Sequence, residues 1–173
     1  MRTTLTTLAL VLTVLMPTDS LAAQAPVQIS VFPPLQLVDE SEAVRGLRLS
    51  IYGRNANMTG LDFGFIHHTT GSFEGLQLGL VGFTEGSTRG VQWSAVNLTK
   101  GSLEGAQLGF VNSAGGGEGL QWGGFNHAQN FRGLQIALVN YAETLNGIQL
   151  GLINIIREGG ILPVMPFINW SLD

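Results

Sequence analysis

Residues 75–97 read GLQLGLVGFTEGSTRGVQWSAVN, and this stretch holds the rule for most of the chain. Gly75 and Gly90 each open an eight-residue unit: glycine, apolar, Gln, apolar, small, apolar, apolar, then Gly82 or Asn97. Leu76, Leu78 and Leu80 alternate with Gln77, Gly79 and Val81. Period-two alternation is the signature of a strand, because successive Cβ atoms point to opposite faces. A helix over the same residues would carry a glycine in every turn, at about 1 kcal/mol each relative to alanine.

Working outward, the unit recurs eight times. It opens at Gly46 (GLRLSIYG), Gly60 (GLDFGFIH), Gly75, Gly90, Gly105 (GAQLGFVN), Gly119 (GLQWGGFN), Gly133 (GLQIALVN) and Gly147 (GIQLGLIN). Successive glycines are 14, 15, 15, 15, 14, 14 and 14 residues apart. Two residues before the glycine stands another apolar side chain in many units: Phe73, Leu103, Phe131 and Leu145. Small residues recur nine after it, at Thr84, Thr99, Ala114, Ala128 and Ala142. The linkers TEGS, TKGS and AGGG read as turns. The expected organisation is a leader over residues 1–23, an N-terminal strand or cap over 24–45, the eight-repeat array over 46–158, and a C-terminal cap or strand over 159–173. Pro163 and Pro166 suit that last segment to a sheet edge, since proline cannot donate to a ladder.

A 14- to 15-residue β-repeat fits two all-β architectures. The favoured one is a parallel β-solenoid, one coil per unit, with equivalent residues stacked at about 4.8 Å. The alternative is a ten-stranded antiparallel outer-membrane barrel, each unit one strand of about 9–11 residues. Equally short linkers and the common polarity of the units, each ending in the Asn position, favour the solenoid. In that reading Leu76, Leu78 and Leu80 face inward with Phe73 and Thr84. Asn97, Asn112, Asn126, Asn140 and Asn154 stack at one corner, where each amide can bond to its copies above and below. Gln77, Gln92, Gln107, Gln121, Gln135 and Gln149 form a second ladder on the outer face. The apolar Val81, Val96, Val111, Val139 and Ile153 on that outer face sit awkwardly with this assignment. Arg48 and Asp62 replace the Gln in the first two units and are expected to lie side by side as an ion pair that ends the ladder.

Composition bounds the function. The chain has 173 residues, is 45% hydrophobic and only 12% charged, with a net charge of -4. It has enough apolar residues for a core and no basic run, which argues against nucleic acid. The absence of cysteine excludes disulfides, thiolate metal sites and a cysteine nucleophile. Arg2, the apolar run Leu8–Met16, Pro17 and then Ser20-Leu21-Ala22-Ala23 form a secretory signal peptide, cleaved after Ala22 or Ala23.

No catalytic, cofactor-binding or metal site is expected. His67 and His68 are adjacent in a strand and point to opposite faces, and His127 lies four units on, so the three histidines read as surface or turn residues. Glu74, Glu104 and Glu118, interleaved with Arg89 and Arg132, form a solvated stripe rather than an acid–base pair. Gly115-Gly116-Gly117 lacks the Lys, Ser or helix start of a phosphate cradle. Trp93 and Trp122 occupy Leu positions, as core or lipid contacts. Asn57 and Asn97 begin short glycosylation sequons.

The run GLQIALVNYAETLNGIQLGLINIIREGGILPVMPFINWS, residues 133–171, resembles a family of bacterial surface-repeat proteins of spirochaetes and Gram-negative bacteria. The likeness covers residues 46–172. Gly53, His67 and Gly82 depart from it by replacing the unit's Asn. The resemblance implies a cell-envelope or surface location and brings no catalytic residue. The resulting expectation is a non-enzymatic envelope protein, structural or partner-binding, that associates with an envelope or extracellular partner, with the outer membrane, or with itself through β edges. The barrel alternative would be a narrow pore or scaffold.

Overall fold

A computed structural model describes residues 24–172, so the expected leader and its expected cleavage site lie outside the described residues. The strands are β1 (Ala25–Phe32), β2 (Leu35–Gln36), β3 (Val44–Asn55), β4 (Met58–Thr69), β5 (Phe73–Thr84), β6 (Thr88–Ile136), β7 (Val139–Glu158) and β8 (Val164–Ser171). They form one sheet in the order β2-β1-β3-β4-β5-β6-β7-β8. From β1 through β3 to β7, neighbours pair in parallel. Only the ends are antiparallel, β1 with β2 and β7 with β8. The fold is a β-solenoid of about eight turns, not a barrel. An antiparallel meander would put neighbouring units in opposite directions, and the parallel register rules that out.

The register places each repeat on its copy: Gly46 on Gly60, Gly60 on Gly75, Gly75 on Gly90 and Gly133 on Gly147. At Gly90 the backbone has φ +121°, a region closed to L side chains. A Cβ there would run into the carbonyl oxygen of Gly75 in the preceding turn. The repeat therefore needs glycine where adjacent coils approach most closely. TEGS is a bend as expected, but TKGS and AGGG are not breaks. Residues 99–102 and 114–117 keep their strand pairing, so three and a half coils run on as the single 49-residue β6.

Phe73 and Thr84 face inward as expected, but the Leu and Gln columns are the reverse of the sequence expectation. Gln77, Gln92, Gln107, Gln121, Gln135 and Gln149 are fully buried, whereas Leu76 and Leu78 are half-buried and Leu80 is 54% exposed. Each coil turns inward the residue two before its glycine and those two, four, seven and nine after it. The third coil shows the pattern with buried Phe73, Gln77, Gly82 and Thr84. A continuous apolar column needs no partner direction, but an amide column does. Stacked in register, Gln92, Gln107, Gln121 and Gln135 each have a Gln above and below, so burial leaves their hydrogen bonds intact. An unmatched buried amide would cost about 1–3 kcal/mol. What remains of an apolar core is two clusters along one wall. Val44, Met58 and Phe73 form one with Val38, and Leu103, Phe131, Leu145 and Ile156 anchor the other with three alanines.

Both ends of the array are further copies of it. Val27-Gln28-Ile29-Ser30 pairs with Leu47-Arg48-Leu49-Ser50 and repeats the pattern of Val91-Gln92-Trp93-Ser94. At the other end Trp170, Asn169 and Ile168 lie opposite Ile148, Gln149 and Leu150, so β8 carries the repeat read backwards.

Candidate binding face and the amide ladders behind it

Two amide ladders run through the later coils of the solenoid in opposite directions. In the first, each Gln donates to the turn before it. Gln92 Nε2 donates to Gln77 Oε1 (3.1 Å), Gln107 to Gln92 (2.9 Å), Gln121 to Gln107 (2.9 Å), Gln135 to Gln121 (2.6 Å) and Gln149 to Gln135 (2.7 Å). In the second, each Asn donates to the turn after it. Asn97, Asn112, Asn126 and Asn140 each give Nδ2–H to Oδ1 of the next, ending on Asn154, all at 2.9 Å. The direction predicts which atoms are left over. Asn97 Oδ1 and Gln149 Oε1, the last acceptor of each chain, have no donor.

The Asn ladder also builds a corner. Asn97 Nδ2 donates to the carbonyl of Ser94 in its own turn and of Leu108 in the next. Asn112 and Asn154 repeat the first contact through Gly109 and Gly151. In the coils that follow an Asn corner, the residue four after the glycine is small because the preceding coil's backbone and its Asn amide both lie against it. A Cβ on Gly109 would collide with Asn97 Nδ2. The two residues between, such as Ala95 and Val96, both point outward as the chain turns.

The first units use charge where the later ones use amides. Arg48 and Asp62 are an ion pair, as expected from their spacing, but a wholly buried one. Arg48 Nε and Nη2 donate to Asp62 Oδ1 (2.8 Å) and Oδ2 (2.6 Å). Gln77 Nε2 donates to Asp62 Oδ2 at 2.9 Å, so the carboxylate receives the ladder rather than ending it at a soluble edge. His67 is not a surface or turn histidine. It fills the Asn position and is fully buried, with Nδ1 2.8 Å from Asp62 Oδ1 and Nε2 3.1 Å from the Leu78 carbonyl oxygen. Both partners are acceptors, so both contacts are hydrogen bonds only for the doubly protonated ring. Burial pushes the Asp62 carboxyl up, but the hydrogen bonds and charge of Arg48, with those of His67, outweigh it and hold the group well below the carboxylate range. Size is traded across the coil. The long Arg48 faces Gly53, the short Asp62 faces His67, and Gly82 leaves room for Gln77.

His68, on the other side of its strand, donates from Nε2 to Glu85 Oε1 (2.9 Å), and His127 stacks on Tyr141 with centroids 5.3 Å apart. The charged stripe is present and solvated: Arg89 Nε donates to Glu104 Oε2 at 2.8 Å, both exposed. Asn97 is buried and closed to glycosylation, while Asn57 is exposed. Among the described residues no three His, Cys, Asp or Glu side chains converge.

With the amides inside, the apolar residues of the repeat are outside. Positions one, three, five and six after each glycine point outward in all eight turns, thirty-two sites in total, and none is charged. Thirty are apolar side chains, and the exceptions are Tyr52 and Gly124. Column five forms the crest, with Phe65, Leu80, Phe110, Leu138 and Leu152 each more than half exposed. Trp93 and Trp122 stand beside it at 61% and 60% exposure. Ile29 and Val27 extend the face over β1, and Ile168 and Trp170 over β8.

Sequence reasoning missed the buried Gln28 and Asn169, which stand in register with Arg48 and Gln149, and His67, which fills the Asn position. The first two carried a signal, VQIS as a ninth unit and the Trp-Asn-Ile order as a reversed one. Compared with protein-family models, with curated proteins and with solved structures, the chain matches none.

Proposed function

We propose that this chain is an exported, non-catalytic scaffold of the bacterial cell envelope, and that its outward apolar face is the surface by which it binds. The observation that carries the reading is the uncharged face of thirty-two positions, repeated over eight turns. Soluble monomers rarely leave contiguous apolar patches beyond a few hundred Å² in water, and larger ones mark interaction surfaces. The amide ladders support the same reading, because they stiffen the backbone and hold the face in one shape. The leader and the surface-repeat resemblance supply the compartment.

The test is expression of the full chain with its leader in a Gram-negative host, followed by fractionation and N-terminal sequencing. The expected product begins at residue 23 or 24 and stays with the envelope through a high-salt wash. Leu80→Asp with Phe110→Asp, both at exposed positions, should move it to the soluble periplasmic fraction. An uncleaved chain in the cytosol, or face variants retained as well as the parent, overturns the reading.

A further inference from the structure

We infer that the occupant of the apolar face is a lipid surface, and that the solenoid lies along a bilayer with its axis in the membrane plane and the crest among the acyl chains. The inference rests on the binding role proposed above and names the partner.

Three observations favour lipid over a protein. The first is the lack of hydrogen-bonding groups. Ten stacked strands at about 4.8 Å and five residues of width at about 3.3 Å give a face of roughly 43 by 17 Å. That is roughly 700 Å², close to the 800 Å² or so that each partner buries in a standard protein interface. Such an interface carries about one hydrogen bond per 100–200 Å². Across the repeat positions of this face the only side-chain donors or acceptors are the Tyr52 hydroxyl and the indoles of Trp93 and Trp122. Hydrocarbon asks for no hydrogen bonds.

The second is the backbone. Each coil is paired on either side, in parallel with its neighbours and, at the last coil, antiparallel with β8, so the strands beneath the face spend their N–H and C=O groups in ladders. Backbone can meet hydrocarbon only when it is satisfied in this way.

The third is shape. Columns one and three lie before the corner and column six after it, with column five on the bend. At Ala95 the crest dips into an open hollow lined by Leu78, Trp93 and Phe110, and a rigid copy of the same face would leave such hollows unfilled. Acyl chains conform to both sides. The charged side chains Glu74, Arg89, Glu104, Glu118 and Arg132 sit immediately before the glycine, outside the face. Nearly balanced in sign, they give no attraction to anionic headgroups, so the binding is apolar and insensitive to salt.

All three tryptophans of the chain lie on the proposed contact, Trp93 and Trp122 in column three and Trp170 opposite Ile148. They serve as the probe. The purified full chain is mixed with neutral phosphatidylcholine vesicles, unlabelled or brominated on the acyl chains, and followed by flotation and tryptophan emission. The expected result is flotation with the vesicles, a blue shift, and quenching by the brominated chains, unchanged in 0.5 M salt. Phe65→Asp, Leu80→Asp and Phe110→Asp together should weaken binding at least tenfold, with urea unfolding and circular dichroism unchanged. Glu118→Lys, off the face, should bind as the parent does. Flotation without acyl-chain quenching, or equal binding by the triple variant, overturns the inference. So does a stable dimer whose tryptophans are shielded without lipid. If vesicles fail while the face variants still lose envelope retention, the binding face stands and lipid is not its occupant.

Discussion

Asn97 donates its side-chain amide to Oδ1 of Asn112 in the following turn at 2.9 Å, against the direction of the neighbouring glutamine ladder. The two columns thus carry opposed dipoles down one shaft. Each has one end where an acceptor goes without a donor, Asn97 Oδ1 at one end of the array and Gln149 Oε1 at the other.

This asymmetry sets the cost of cutting the glutamine ladder. Gln107 gives its Nε2–H groups to Gln92 Oε1 and the Ser113 carbonyl and accepts from Gln121. Gln107→Leu strips a partner on each side and should destabilise by about 2–3 kcal/mol. Gln149→Leu deletes an acceptor that was already idle and should cost about 1 kcal/mol less. Urea unfolding of the two variants reads the difference, and equal losses would show that the ladder's direction does not matter.

The buried triad is a substitute for the ladder, and it should be replaceable by it. Arg48→Met leaves Asp62 charged, buried and short of its two strongest donors, at a cost of about 3–5 kcal/mol. The triple variant Arg48→Gln, Asp62→Gln, His67→Asn installs the residues of the later turns. It should recover most of that loss in thermal or urea unfolding. A triple variant no more stable than Arg48→Met would mean that the charges do more than occupy ladder positions.

Asp62 should also shape the acid limb of stability. Its folded carboxyl titrates well below the roughly 3.9 of an unfolded aspartate. A depressed folded value adds stability that is present above about pH 4 and drains away as the pH falls below it. Asp62→Asn should therefore be less stable than the parent at pH 7, with the gap closing between about pH 4 and 2. The exposed Glu85 and Glu104, also shifted down by their basic partners, are common to both chains and cancel in the difference. A gap that stays constant over this range rules out the carboxylate as its source.

Gly90→Ala tests the close approach of coils. The substitution meets both a positive φ and the carbonyl oxygen of Gly75, and a loss of at least about 3 kcal/mol or failure to fold is expected. Ser102→Ala, on the exposed linker, should stay within about 0.5 kcal/mol of the parent. A well-folded Gly90→Ala chain with parental unfolding midpoint would contradict the packing of the turns.

The strand content and the number of repeat units were legible in the residues alone, whereas the parallel register that separates a solenoid from a barrel came from the structure. Period-two alternation defines a strand wherever it occurs, and eight glycines in phase fix which residues of the units are equivalent. The adjacency of Arg48 and Asp62 and the Asn column at a corner followed from the same spacing. Which face turns inward was not legible. A period-two pattern is symmetric under exchange of its faces, and the usual rule that leucine goes inside and glutamine outside holds for a residue judged by itself. Only stacking supplies each buried amide with a copy of itself above and below, and only the tertiary structure shows that the corner residues are too small and too closely approached to lie anywhere but inside. His67 shows the same limit: its position in the repeat is read from the sequence, but its two acceptors come from Asp62 in its own coil and Leu78 in the next. The residues alone established eight like strand units in phase, and the parallel pairing made them coils of one stack. The tertiary structure decided that the stack is polar within and apolar without, because hydrogen bonds between copies exist only once the copies are stacked.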